Sequence, residues 1–304
     1  MDIVRAARGA AAIATAAPEA EQALLAYVAL YACGYTGRGS LDTFNTVGAA
    51  SKDAVFLAHL VEAVPDRVTL SDWIVTGWND DRVFLEKEAI RTFIARRRLE
   101  EDHLVVGRPV SFTRSALALD TMPGFVMRRG IETSIGHPHS RLYLNIRPEA
   151  AAWVLGPLAR TLDREHLPFV LKVLAHPRAY RRRDACVIYV ISEQFGEAFD
   201  VVRDALAQAR FSLDNPVPLF TKKLAPGMGF AEDLSDLGAA EQSYGQWVSW
   251  LFLKAAATSD DARHIARAVM DEVRACGRDP HRPYLRAGVE SFRVPGSEFL
   301  KNQP

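Results

Sequence analysis

Apolar residues recur along the chain with two periods, and the change of period separates helices from strands. Leu24, Tyr27 and Tyr31 follow one another at helical spacing behind acidic residues, which predicts a helix over residues 18–33. A second helix is predicted over residues 51–64, because its apolar positions share one face and Pro65 stops it. The Ala-rich residues 1–18 predict a frayed helix rather than a signal peptide, since their apolar run is short and an acidic helix follows.

The pattern changes between residues 68 and 129, where short apolar stretches alternate with Asn, Asp, Gly and Pro. The stretches WIVTGW, RVFLE, HLVVG and GFVMRRG are typical of small strands joined by turns. We therefore expect a compact β-rich module in this part of the chain.

The segment after residue 130 has the clearest order of elements. RLYLNI, PFVLKVL and ACVIYVI are predicted strands, and residues 148–166, 197–211 and 244–276 have helical periodicity. Strands joined in this way predict an α+β fold, in which helices pack on one mixed β-sheet. We expect residues 1–130 to form an N-terminal helical and small β-rich region and residues 131–304 to form a second domain.

Composition and charge argue against a nucleic-acid-binding protein and a membrane protein. Lys plus Arg and Asp plus Glu number 37 each, so the overall charge gives no reason to expect binding to nucleic acid or to a membrane. No apolar run reaches the roughly 18 to 20 residues that a membrane span needs. The three cysteines form no CxxC pair, which favours reduced thiols and a cytoplasmic location.

Lys172 is the first candidate for chemistry, because lysine is scarce in this chain and this one lies within the apolar strand PFVLKVL. Alternation along the strand puts Lys172 on the face opposite Leu171 and Val173. Burial disfavours a charged ammonium, and a neutral amine can accept a proton as a general base. The alternative is a lysine that reaches the rim of the sheet or forms a structural ion pair with Asp184.

The loop that follows carries arginines 178, 181, 182 and 183 within six positions, which suits the binding of an anion. We expect Arg183, directly before the next strand, to point inward, and two of the others to be solvated. Tyr180 can add a hydroxyl donor or simply pack at the corner of the loop.

Two further segments add candidate residues. In FTKKLAPGMGFAED, one of Lys222 and Lys223 is expected to face a site, and the glycines allow backbone amides to approach a ligand. Because these lysines precede the glycines, the segment is not a P-loop. In GHPHSRLYLNI, His137 or His139 could protonate a leaving group, and Arg141 lies on the strand that follows. The two histidines could also form a plain turn or half of a metal site; we expect no metal.

In order along the chain, RLYLNI, PFVLKVLAHPRAYRRRDACVIYV, FTKKLAPGMGFAED and QSYGQ resemble successive motifs of the HopA-type effector family. PYLRAG near Tyr284 is a weaker final match. The resemblance covers about residues 141–246. Members of this family include secreted effectors and lyases that act in lanthipeptide and thioamitide biosynthesis.

The resemblance implies a reaction and its participants. A kinase-like phosphotransferase partner phosphorylates Ser or Thr of a ribosomally made precursor peptide, and the lyase eliminates phosphate to leave dehydroalanine or dehydrobutyrine. No cofactor is implied. We expect Lys172 to be the general base and Tyr180 to support a phosphate clamp formed by Arg141, Arg183 and one of Lys222 and Lys223.

Asn145 departs from the pattern, because related proteins often carry a histidine there as the general acid, and an amide cannot fill that role. Three alternatives follow: His137 or His139 supplies the proton, phosphate leaves as a compensated dianion, or the protein is a catalytically silent subunit that binds phosphopeptide or the kinase. A secreted effector that acts in a host cell is a further alternative.

Overall fold

Two β-sheets and their covering helices form the described part of the chain. The computed structural model describes residues 3–34, 52–87, 90–99, 103–130, 139–209, 211–238 and 242–289. The helices are α1 (Ile3–Ala16), α2 (Glu19–Ala26), α3 (Ala54–Ala63), α4 (Ala151–Trp153 and Ala159–Arg164), α5 (Phe195–Ala209), α6 (Tyr244–Ala256) and α7 (Ala262–Ala275). A π-helical segment, Tyr27–Cys33, extends α2, and another, Val154–Leu158, joins the two parts of α4.

The strands divide between a small sheet and a large one. They are β1 (Arg67–Trp78), β2 (Arg82–Lys87), β3 (Ile90–Ala95), β4 (Pro109–Ser115), β5 (Leu117–Ala118), β6 (Phe125–Arg129), β7 (His139–Leu144), β8 (Phe169–Leu174), β9 (Cys186–Ile191), β10 (Lys222–Ala225) and β11 (Met228–Glu232). The small sheet has the order β3-β2-β1-β4, and the large sheet has the order β10-β11-β7-β9-β8-β6-β5.

The α+β class, with helices packed on a sheet, is confirmed. The strand directions differ from the expected mixed sheet, since each pairing of the described strands is antiparallel. Strands β7 and β8 do run in the same direction, because both pair antiparallel with β9. The chain crosses from β7 to β8 through α4 and leaves a gap of one strand between them. After β8 and the short 3₁₀ turn Pro177–Arg181, strand β9 lies in that gap.

The β-rich module of the N-terminal region forms the small sheet, which has its own core of Val75, Val83 and neighbouring side chains. The stretch GFVMRRG, grouped with that module on sequence, instead forms β6 and pairs with β8 of the large sheet. The division into two domains at residue 130 stays a prediction.

Helices cover both faces of the large sheet. Leu142, Leu171 and Ile188 point to one face, where they pack with side chains of α3, α4 and α5. Tyr143 and Val187 point to the other face, where they share a core with side chains of α1, the extended α2, α6 and α7.

Helix α1 belongs to this second layer and is not the frayed helix expected from its composition. Its residues Ala6, Ala7, Ala10 and Ile13 are buried against the neighbouring helices. Small side chains allow close packing of helices, so the run of alanines forms part of the core.

Candidate functional site

Strand register brings three of the candidate side chains and one further tyrosine to one face of the large sheet. Lys172 lies opposite Val187 of β9, and Tyr189 of β9 lies opposite Arg141 of β7. Since directly paired residues share a face and every second residue returns to it, Lys172, Tyr189, Arg141 and His139 all point the same way. We call these four residues the sheet-face cluster.

Lys172 is held within apolar and aromatic surroundings, as its position in the strand predicts. It is 5% exposed. Its Nζ lies 3.4 Å from Met122 Sδ, 4.4 Å from the centre of the Phe125 ring and 5.4 Å from the centre of the Tyr189 ring. The amine is thus aimed at two aromatic faces, which attract a cation.

Tyr189 connects the members of the cluster. Arg141 Cζ lies 5.6 Å from the centre of its ring, and the His139 ring packs edge-on at a centroid distance of 5.5 Å. Burial raises the pKa of Tyr189, but Lys172 and Arg141 lower it, and the net result is a pKa below the ordinary value of 10.0. The two cations thus favour the ionised phenol.

Contacts with β11 and the residue after it fix the orientation of Arg141 and His139. Arg141 donates from Nη1 to the carbonyl of Glu232 at 2.9 Å, while its buried Nε has no hydrogen-bond partner among the described residues. The backbone N–H of His139 donates to Asp233 Oδ2 at 2.9 Å, and Nδ1 of the same histidine lies 3.4 Å from that oxygen. The cluster therefore offers an arginine with an unsatisfied donor beside an oriented imidazole.

Arg129 extends the cationic character of this face. It pairs with Val170 of β8, and Val170 pairs with Tyr189, so Arg129 lies in the same cross-strand row as Arg141. Burial lowers the pKa of Arg114 on β4, and the like charge of Arg129 lowers it further. Two guanidinium groups that repel each other in this way are suited to share an anion.

A buried ion pair borders the cluster on the Phe125 side. Arg182 binds Asp184 through two bonds, Nε to Oδ1 at 2.8 Å and Nη2 to Oδ2 at 2.7 Å. Tyr27 donates its hydroxyl to Asp184 Oδ2 at 2.8 Å. Burial raises the pKa of Asp184, but Arg182 outweighs it and the pKa is lowered overall. The arginine that points inward from this loop is thus Arg182, rather than Arg183 as the sequence suggested.

The structure does not bring the other cationic candidates to the sheet-face cluster. Arg183 and Lys223 line a separate cleft of about 610 Å³. Lys223 donates to Asn215 Oδ1 at 2.6 Å, and Lys222 Nζ lies 6.0 Å from the centre of the Tyr284 ring. Of the expected phosphate clamp, Arg141 alone lies in the cluster.

Two predicted site residues have packing roles instead. Tyr180 is buried in the core on the opposite face of the sheet, where its hydroxyl donates to the carbonyl of Leu174 at 2.9 Å and its ring packs on Phe56. Asn145 donates from Nδ2 to the carbonyl of Pro216 at 2.9 Å, and its backbone carbonyl accepts from the N–H of Asp214 at 3.0 Å, so it anchors the loop that precedes β10. His137 lies outside the described residues.

Other motif residues stabilise the fold. The N–H of Gly227 donates to the carbonyl of Asn215, and Gly229 pairs with Tyr143, so these amides are not presented to a ligand as expected. In QSYGQ, Ser243 and Gln246 form a capping box that starts α6. The described residues contain no group of three or more His, Cys, Asp and Glu side chains arranged to hold a metal ion. No helix in the described part of the chain is both long and apolar enough to cross a membrane.

The fold and the site define a class of α+β protein with a buried lysine, arginine and histidine around a half-buried tyrosine on one face of a central antiparallel sheet. Residues 120–285 match the HopA1 effector protein family, and the chain belongs to that family. The matched segment begins before β6 and ends at Leu285, so it contains the whole sheet-face cluster.

Two solved structures resemble the chain at low identity. The effector protein from Pseudomonas syringae pv. syringae strain 61 has a TM-score of 0.47 and 17% identity, over 77% of this chain and 83% of that chain. The effector protein from Pseudomonas syringae pv. tomato strain DC3000 has a TM-score of 0.41 and 18% identity, over 54% of this chain and 63% of that chain. Comparison with curated proteins gives no match.

Sequence reasoning missed Tyr189 and Arg129 as residues of this region, and it named Arg182 in the arginine-rich loop without expecting it to point inward. Tyr189 lies in the predicted strand ACVIYVI, where a single tyrosine among aliphatic residues looks like a residue of the hydrophobic core. Tyr189 lies on the same face of β9 as Val187, and Val187 pairs with Lys172 of β8. The face of Tyr189 could therefore be assigned only from the pairing of β9 with β8, which the sequence does not reveal.

Proposed function

We propose that this protein is a lyase that eliminates phosphate from phosphoserine or phosphothreonine in a ribosomally made precursor peptide. The observation that carries the proposal is the placement of Lys172, Tyr189, Arg141 and His139 on one face of the sheet. A base, a second proton-holding group, an anion-binding group and an acid are the parts that such an elimination requires.

In the proposed reaction, the Lys172 ammonium first gives a proton to the Tyr189 phenolate, and the resulting amine removes the α-proton of the phosphorylated residue and becomes an ammonium again. The electron pair of the Cα–H bond forms the Cα=Cβ double bond, and the Cβ–O bond breaks with its pair leaving on phosphate. His139 gives a proton to the departing phosphate oxygen. The products are inorganic phosphate and dehydroalanine or dehydrobutyrine. The oxidation state of the protein does not change, and the reaction needs no metal or organic cofactor.

Arg141 and Arg129 are the proposed phosphate-binding residues. Within the cluster, Arg141 has a buried Nε donor without a hydrogen-bond partner among the described residues, and Arg129 lies in the same row with one residue between it and Tyr189. Guanidinium groups bind phosphate oxygens through paired, charge-assisted hydrogen bonds. Tyr189 supports the base, because a phenol with a lowered pKa can exchange a proton with the adjacent amine.

Asn145 has no role in the proposed reaction, and we assign the acid to His139. Since the Asn145 amide is engaged with the loop at Pro216, its failure to carry a proton leaves the proposed reaction intact. The proposed partners are the phosphorylated precursor peptide and a kinase-like phosphotransferase that supplies it. We propose that both act in the cytoplasm, since all three cysteines are free thiols.

Mass spectrometry of a phosphorylated precursor peptide tests this function. Incubation with the protein should remove the mass of phosphoric acid, and the new residue should add an external thiol across its double bond. A peptide that loses only its phosphoryl group and regains a hydroxyl would indicate hydrolysis, which contradicts the proposal. Persistence of the phosphopeptide with the phosphotransferase present would favour a catalytically silent binding subunit.

A secreted effector is a second candidate, and the name of the family to which the chain belongs favours it. Such a protein would leave the producing cell and act on host proteins. Fusion of the full chain to a translocation reporter distinguishes the two roles: a signal inside host cells supports the effector, and retention in the producing cell supports the biosynthetic lyase.

A further inference from the structure

A cleft of about 610 Å³ lies beside β10, the edge strand of the large sheet. Its walls come from α1, the turn before β9, residues 216–221, α7 and residues 280–284. None of the residues that line it belongs to the sheet-face cluster. The cleft is therefore a second candidate site, separate from the proposed elimination chemistry.

The charge of the cleft is one-sided. Arg5, Arg183, Lys223 and His281 line it, and none of the described residues in its lining is acidic. Burial lowers the pKa of Arg183, and the like charge of Arg5 acts in the same direction. Because the whole chain has a net charge of zero, this is a local concentration of positive charge that would attract an anionic ligand.

The same cleft has an apolar wall that includes a strained residue. Phe220 has a φ of 62°, a left-handed conformation that is costly for a residue with a side chain. The Tyr244 hydroxyl donates to the Phe220 carbonyl at 2.8 Å and holds this conformation. Tyr284 lines the cleft as well. Such strained residues cluster at ligand-binding sites, and the aromatic rings suit apolar side chains of a ligand.

The backbone of the wall at residues 216–218 is already satisfied by the protein. The carbonyls of Pro216, Val217 and Pro218 accept from side chains of the chain itself, and the two prolines have no N–H to offer. An occupant therefore meets side chains here and does not add a strand to this segment. Recognition by cationic and aromatic side chains fits a ligand with both carboxylates and apolar groups.

We propose that the cleft docks an acidic peptide segment, with carboxylates on Arg5, Arg183 and Lys223 and apolar side chains against Phe220 and Tyr284. Its volume lies within the range of about 300–1,000 Å³ that is usual for ligand sites, and it exceeds what a single phosphate group needs. The proposal does not rest on the elimination reaction, since it concerns binding alone.

Fluorescence anisotropy with the full chain tests the docking. The probe is a fluorescein-labelled peptide in which glutamate alternates with leucine, and its neutral counterpart has glutamine for glutamate. The double variant Arg5→Gln, Lys223→Gln should weaken binding of the acidic peptide by about tenfold or more, because it removes two charge-assisted contacts. The variant Arg8→Gln, Arg97→Gln has the same change of charge at exposed positions outside the cleft and should bind like the wild type.

Three results would overturn the proposal. The neutral peptide could bind as tightly as the acidic one, or the two double variants could bind the acidic peptide equally well. Inorganic phosphate or a single-stranded oligonucleotide could displace the peptide at a concentration equal to or below that of unlabelled peptide, which would make the cleft a small-anion or nucleic-acid site. Equal thermal unfolding midpoints of the two variants ensure that the comparison reports on binding.

Discussion

Tyr189 is the residue that links the sheet-face cluster, because Lys172, Arg141 and His139 all contact its ring. Each contact follows from the position of β9 between β7 and β8. At the residue scale, the proposed reaction depends on two cations, Lys172 and Arg141, that are held against the phenol of Tyr189. These cations lower the pKa of the Tyr189 phenol, and titration of that phenol measures the effect.

Replacing Tyr189 with Phe should remove a phenol that ionises below pH 10. Burial raises its pKa, but Lys172 and Arg141 lower it by more than burial raises it, so phenolate forms at a lower pH than in a free tyrosine. The other described tyrosines, such as Tyr143 and Tyr244, have pKa values raised by burial and do not interfere. The difference in phenolate absorbance between wild type and Tyr189→Phe should have a midpoint below 10, and a midpoint at or above 10 would refute this reading.

The ion pair between Arg182 and Asp184 stabilises the fold beside the cluster. Asp184→Asn leaves a buried guanidinium without its counter-charge, and should lower the free energy of unfolding by about 3–5 kcal/mol. Asp214→Asn breaks the exposed pair with Arg147 and should cost less than about 1 kcal/mol. Chemical denaturation of both variants measures the difference, and similar small losses would show that Asp184 contributes little.

The same pair should make stability sensitive to acid. The pKa of Asp184 is lower in the folded protein than its ordinary value of 3.8, so the carboxylate stabilises the fold above that value. This contribution is lost as the pH falls from 3.8 through the folded pKa. The difference in unfolding free energy between wild type and Asp184→Asn should therefore shrink on acidification in that window. A difference that grew instead would contradict the assignment.

At the scale of elements, hydrophobic periodicity predicted the three central strands of the large sheet and most of the helices that pack on it. Strands β7, β8 and β9 and helix α5 lie within about two residues of their expected positions, because buried apolar runs and amphipathic faces leave strong local patterns. Strand order was not predictable in this way. That β9 lies between β7 and β8 depends on contacts between segments that are distant along the chain, and this order decides which polar side chains meet.

Helix α6 shows that helix propensity alone does not predict the effect of replacing a glycine with alanine. A Cβ at Gly245 would lie 2.5 Å from Tyr27 Cε2 and from Tyr31 Cε1, so the helix needs glycine there to approach the extended α2. Gly245→Ala should lower the unfolding free energy by about 1–3 kcal/mol through overpacking. That loss exceeds the gain of about 0.5–1 kcal/mol that alanine brings inside a helix.

Gly156→Ala is the matched control, because a Cβ there would meet Val64 Cγ2 at 3.5 Å, an ordinary contact. This variant should be neutral or more stable than the wild type. Thermal unfolding of both variants compares the two effects. Gly245→Ala with unchanged stability would mean that the interface between α6 and α2 is looser than described.

At the scale of the molecule, the large sheet separates two helical layers and carries its polar chemistry on one of its faces. Lys172, Arg141 and His139 lie together on that face, while Arg183 and Lys223 line the cleft beside the edge strand. The sequence showed all five as cationic candidates but could not divide them between two places. We therefore propose that binding of a peptide and chemistry on it occur at different surfaces.

The central claim is that the sheet-face cluster eliminates phosphate with Lys172 as the base. The most direct test is the intact mass of a phosphothreonyl precursor peptide after incubation with Lys172→Met or with the control Lys87→Met, whose lysine lies in the small sheet. The wild type and Lys87→Met should remove phosphoric acid from the peptide, and a folded Lys172→Met should leave the phosphopeptide unchanged. Elimination by Lys172→Met at the wild-type rate would contradict the claim.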